Sequence, residues 1–102
     1  MDKMDLPIAC SLTELQFQER RAGVLKKAKD AVLEKKELAD GYSYRFSLDR
    51  ISITELAQLI TVERECCPFL QFDLHLEPGA GPVWMELTGP DGTKDFLNSI
   101  FS

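Results

Sequence analysis

The chain has 102 residues, 44% of them hydrophobic and 28% charged, with 12 Lys and Arg set against 17 Asp and Glu. That composition fits one ordinary globular domain over residues 1–102 and excludes disorder or low complexity as whole-chain readings. The net charge of −5 repels phosphate backbones, so no nucleic-acid partner is expected. The one basic cluster, Lys26 to Lys36, is interleaved with Asp30 and Glu34 and reads as a solvated helix face.

No run of about 18 apolar residues is present, so no membrane span is expected. The charged start Met1-Asp2-Lys3-Met4-Asp5 lacks the apolar region of a signal peptide, and a cytoplasmic location is expected. The three cysteines, Cys10, Cys66 and Cys67, form an odd set. In such a compartment that argues against a disulfide framework.

In chain order, Ser11-Leu12-Thr13-Glu14 reads as a capping box, with hydroxyl and carboxylate each satisfying the other residue's backbone N–H. The helix behind it is expected to reach about Glu37, burying Leu15, Ala22, Leu25, Ala28 and Val32. Gly23 inside it weakens the helix and predicts a close contact. After the Asp40-Gly41 turn signal, Tyr42, Tyr44, Phe46 and Leu48 alternate with polar residues, as on a half-buried strand. Ser52-Ile53-Thr54-Glu55 is a second capping box. Its helix is expected to bury Ile53, Leu56, Ala57, Ile60 and either Val62 or Cys67. It should end near Cys66, because Pro68 disfavours the α conformation at Cys67.

Leu70 to Glu77 and Val83 to Thr88 alternate as two further strands, joined by Pro78-Gly79-Ala80-Gly81-Pro82 into a hairpin. That turn has no lysine and no following helix, so it is no phosphate loop. Phe96, Leu97, Ile100 and Phe101 mark a last helix, capped by Asp91 or Thr93. The expected fold is therefore α+β, a two-layer sandwich in the order α-β-α-β-β-α. Its sheet is small, three-stranded and largely antiparallel, with helices on one face. The other face carries Arg45, Asp73, His75, Trp84 and Glu86. It suits a homodimer contact or a protein partner.

Cys66-Cys67 is the feature composition does not predict. Adjacent helical residues point about 100° apart. At a helix end before proline, however, the second residue can leave helical geometry and bring its sulfur round. Two such thiols suit a soft ion such as Hg(II), As(III) or Cu(I). Cys10, next to the first helix cap, is the third candidate ligand, provided the two helices pack antiparallel. Glu63, Glu65 and the helix C-terminus all raise thiol pKa. Metal binding survives that better than nucleophilic catalysis does, because a bound cation displaces the proton. Against this stands the plain alternative that the cysteines are small core hydrophobes. A strained bond between neighbours is disfavoured, so an oxidised pair would join Cys10 to Cys66 or Cys67.

Glu63 is placed to pair with Arg20 or Arg21 of the first helix. His75 and Asp73 share a face, but no nucleophile is placed opposite them. Trp84 reads as a packing or contact residue.

Glu63-Arg64-Glu65-Cys66-Cys67-Pro68-Phe69-Leu70-Gln71-Phe72, then Gly81-Pro82-Val83-Trp84-Met85-Glu86-Leu87-Thr88-Gly89-Pro90 and Gly92-Thr93-Lys94, resemble a family of small uncharacterised bacterial proteins. Ile8-Ala9-Cys10-Ser11-Leu12-Thr13, Arg20-Arg21 and Asp40-Gly41-Tyr42 extend the likeness over nearly the whole chain. The resemblance implies no activity. Some members lie beside genes for mercury or other soft-metal resistance, and Cys10, Cys66 and Cys67 fall on the family's cysteine positions.

Three expectations follow. The first is a non-catalytic thiol protein holding a soft metal or metalloid ion through Cys66 and Cys67, with Cys10 as third ligand. The second is a structural or interaction module with buried cysteines. The third is a thiol-redox protein pairing Cys10 with Cys66 or Cys67. No catalytic residue and no cofactor other than such an ion is assigned.

Overall fold

The computed structural model describes residues 15–101. The elements are α1 (Leu15–Asp30), β1 (Val32–Leu38), β2 (Gly41–Phe46), α2 (Ile53–Cys66), β3 (Gln71–Leu76), β4 (Val83–Thr88) and α3 (Thr93–Phe101). The four strands form one antiparallel sheet in the order β1-β2-β4-β3. The α+β class holds, with one strand more than expected. None of the described helices is long and apolar enough to cross a membrane.

The first helix ends at Asp30 rather than near Glu37, and Val32–Leu38 is a strand. Leu33-Glu34-Lys35-Lys36-Glu37 is made of good helix formers, so local propensity pointed the wrong way. Tertiary pairing overrides it. A two-residue turn at Ala39-Asp40 sets Leu38 opposite Gly41, and the chain zips back along β2. A register shift between Val32 and Glu34 leaves Leu33 as an extra residue, one half exposed to solvent. Such a bulge bends an edge strand. Exposed lysines at 35 and 36 mark β1 as an edge guarded against further pairing.

Gly41 is required by close approach. A Cβ there would collide with the backbone carbonyl of Leu87 on β4. Gly23 is the reverse case: a Cβ would meet nothing within 4 Å, so the close contact expected there does not exist.

Register assigns the two faces of the sheet. Tyr44, Met85 and Leu74 lie in one row, and Phe46, Val83 and Leu76 in the next. The helices cover this face. Leu25 and Ala28 of α1, Leu56, Leu59 and Cys66 of α2, and Leu97 and Phe101 of α3 join Tyr44, Phe46, Val83, Met85 and Leu87 in one core. Each large aliphatic side chain buried there contributes roughly 1.5–3 kcal/mol. The Tyr44 ring stacks on Phe101 with centroids 4.8 Å apart. The buried stripes differ in detail from expectation. Ala22, Ile53 and Ala57 are exposed, Leu59 is buried, and Leu48 lies beyond the strand and is exposed.

The opposite face is open. Arg45, Trp84 and His75 form one row, and Ser43, Glu86 and Asp73 the next. The Lys36 ammonium sits 4.6 Å from the centre of the Trp84 ring, an attractive cation–π distance. Arg45 donates to Glu34 at 3.3 Å.

The second capping box is present as expected. Ser52 Oγ accepts from the Glu55 N–H, and the Glu55 carboxylate accepts from the Ser52 N–H. The first, at Ser11–Glu14, lies outside the described residues. The Pro78–Pro82 hairpin closes through the Glu77 N–H to the Pro82 carbonyl, with Gly79 at φ +66°. At α3, the Thr93 hydroxyl donates to the Pro90 carbonyl at 2.6 Å. The first helical bond there runs from the Phe96 N–H to the Gly92 carbonyl.

Candidate thiol site

Two ion pairs fix how α1 lies on α2. Arg21 pairs with Glu63, and Lys27 pairs with Glu55. Going up α1 means going down α2, so the helices are antiparallel. The N-terminal end of α1 therefore faces the C-terminal end of α2, where the cysteines sit.

Pro68 shapes that end. Cys66 is the last residue of α2, and Cys67 departs from helical geometry with φ −127° and ψ 75°. Its N–H still reaches the Glu63 carbonyl at 2.6 Å, and its own carbonyl accepts from the Leu70 N–H. The departure gives the two neighbours different surroundings, although both are fully buried. Cys66 belongs to the core and is disulfide-bonded. Cys67 is a free thiol. Cys10, the third expected ligand, lies outside the described residues.

The Cys67 thiol meets a buried ion pair. Arg21 Nε donates to Glu63 Oε2 at 2.7 Å, and Arg21 Nη2 donates to Glu63 Oε1 at 3.1 Å. This is the two-pronged geometry in which guanidinium holds carboxylate best. The Cys67 thiol donates to Glu63 Oε1 at 3.6 Å, and Arg21 Nη2 reaches the same sulfur at 3.8 Å. Glu63 is 2% exposed, so its charge depends on this guanidinium.

The electrostatics favour the neutral thiol. Burial, and then the Glu63 charge, push the Cys67 pKa up to about 12 against the partial opposition of Arg21. For Arg21, burial acts against the charge, but the Glu63 hydrogen bond and charge, with Cys67 behind them, hold the guanidinium above its ordinary value. A thiol so held is a poor nucleophile at neutral pH. It can still bind a soft cation, which replaces the proton.

Glu63 thus has its arginine, and the partner is Arg21 of the two expected. What sequence reasoning missed is that the pair also touches Cys67. The signal was available, because Glu63 precedes Cys67 by four residues, the spacing that shares a helix face. His75 lies nearest Glu86, with Nε2 and Oε2 3.9 Å apart, while Asp73 accepts from Gln71 instead. No group of three or more His, Cys, Asp or Glu side chains is placed to hold a metal ion among the described residues.

Comparison with family models, curated proteins and solved structures gives no match.

Proposed function

We propose that this is a small thiol protein that takes up a soft metal or metalloid ion through Cys66 and Cys67, with Cys10 as the third donor and no catalytic step. One observation carries the reading. Cys66 is disulfide-bonded while Cys67, the next residue, is a free thiol. The antiparallel packing turns the N-terminal end of α1 toward the end of α2 that carries both cysteines. The resemblance to proteins found beside soft-metal resistance genes agrees with this, as does a cytoplasmic setting that keeps thiols reduced.

Native mass spectrometry of the fully reduced chain with Hg(II) or As(III) tests it. The expected result is a 1:1 adduct that disappears when Cys66 and Cys67 are both changed to Ser. No adduct, or one indifferent to that change, overturns the reading.

The disulfide also favours a second reading, a reversible Cys10–Cys66 redox pair. A thiol–disulfide titration that shows two-electron closure at cytoplasmic potentials, with no ion adduct, would select it. For the open sheet face we propose a second copy of the chain. Acidic and basic side chains alternate there around Trp84, and a two-fold axis can set one sign against the other.

A further inference from the structure

We infer that two copies of the chain pack open face to open face about a two-fold axis parallel to the strands and midway between β2 and β4, so that the basic half of each face lies on the acidic half of the other. The inference rests on the second-copy reading of this face above and adds the axis and the charged contacts that select it.

The charges on the face are sorted by strand. In one row Glu34, Arg45, Trp84 and His75 lie side by side across β1, β2, β4 and β3, and in the next Lys36, Ser43, Glu86 and Asp73. Lys36 and Arg45 thus stand on the β1–β2 half, and Glu86 and Asp73 on the β4–β3 half. Arg45 has its own carboxylate, Glu34, at 3.3 Å. The remaining charges are not matched within the chain. Among the described residues, Lys36 has the Trp84 ring but no carboxylate as partner, and Asp73 has the Gln71 amide but no ammonium or guanidinium. The nearest basic group to Glu86 is His75, 3.9 Å away. A face with one sign left over on one half and the opposite sign on the other is complementary to itself after a half-turn.

Register decides which half-turn. An axis parallel to the strands exchanges β1 with β3 and β2 with β4, and it keeps each row on itself. Lys36 then faces Asp73 of the second copy, Glu34 faces its His75, and Arg45 faces its Trp84, a cation–π pairing. By symmetry each contact occurs twice. The Lys36 ammonium lies over its own Trp84 ring, so it already stands on the face and not out to the side. Trp84 is on an inner strand beside the axis, where an aromatic anchor contributes most to an interface. An axis across the strands would instead lay every strand on its own copy. It would crowd Asp73 and Glu86 of both copies into one half and Lys36 and Arg45 into the other, which like-charge repulsion opposes.

A charge exchange between two copies of the full reduced chain tests this, read by sedimentation equilibrium and by native mass spectrometry with one variant labelled with 15N. The wild type is expected to dimerise. Lys36→Asp and Asp73→Lys, each alone, set two like-charge contacts into the pair and are expected to weaken it by about a hundredfold, roughly tenfold per contact. Mixed in equal amounts, the two variants restore both contacts with opposite sign. The mixture is expected to form a hetero pair with about the wild-type affinity. A wild type that stays monomeric up to about 1 mM overturns both the axis and the second-copy reading. So do two folded variants that each dimerise as tightly as the wild type, because the contact then lies elsewhere. Variants that weaken the dimer but do not rescue each other overturn the axis and leave the second-copy reading standing. If either variant does not fold, the salt dependence of the wild type decides. Its dimer affinity is expected to fall by about tenfold between 50 and 500 mM NaCl as the facing charges are screened, and an affinity that holds or rises overturns the charge pairing.

Discussion

Arg21 and Cys67 lie 46 positions apart in the chain, yet one nitrogen of the guanidinium is 3.8 Å from the thiol sulfur and 3.1 Å from the Glu63 carboxylate. The two helices are thus joined by a charged pair where apolar packing would be the default. Breaking such a pair on one side leaves the other charge buried and unpaired. Arg21→Met should therefore destabilise the fold by about 3 kcal/mol, whereas Arg21→Met with Glu63→Leu should recover most of the loss. Urea unfolding of the wild type, both single variants and the double variant closes the cycle. A loss in the double variant equal to the sum of the two single losses would show that the pair holds nothing.

Alkaline pH should weaken the protein through Cys67. Its folded-state pKa is raised from an ordinary 9.0 to about 12. A raised pKa stabilises fully below the unfolded value. The contribution fades once the unfolded chain deprotonates more readily than the folded one. The loss belongs to the window between about pH 9 and 12. Cys67→Ala should show a shallower fall in urea midpoint across the accessible part of that window, from pH 8.5 to pH 10.5. Parallel curves for the two proteins would refute this.

Two glycines should respond oppositely to the same change. Gly23→Ala lies in an open helix position and should stabilise by about 0.5–1 kcal/mol. Gly41→Ala drives a methyl into the Leu87 carbonyl and should cost more than about 2 kcal/mol, as strand separation at the heart of the sheet would. Thermal melts of the two variants, run side by side, check both signs.

Tyr44→Phe should be neutral or stabilising by up to about 1 kcal/mol. The Tyr44 hydroxyl is buried with no hydrogen-bond partner among the described residues, while the ring keeps its stack on Phe101. Removing the oxygen removes an unpaid desolvation and little else. A clear drop in unfolding midpoint would mean that the hydroxyl is satisfied in solution.

The parts legible in the sequence were those set by local chemistry. Ser52 and Glu55 announced α2, Pro68 announced its end, and the alternation from Gln71 to Thr88 announced the β3–β4 hairpin. The β1 strand was not legible, because Glu34, Lys35, Lys36 and Glu37 suit a helix in isolation, and only pairing to β2 decides otherwise. Ala22 and Ala57 were misplaced for a related reason. Alanine fits either face of a helix, and the sheet chooses. At the site, the Cys66–Cys67 contrast followed from the proline. The meeting of Arg21 with Cys67 depended on how α1 crosses α2, which no local pattern encodes.

The two rims of the sheet are unlike. On β1, glutamates and lysines line a kinked border, while β3, outermost on the other side among the described strands, carries no lysine or proline. Of the two described edge strands, β3 is thus the one whose unpaired backbone groups are less guarded against an added strand.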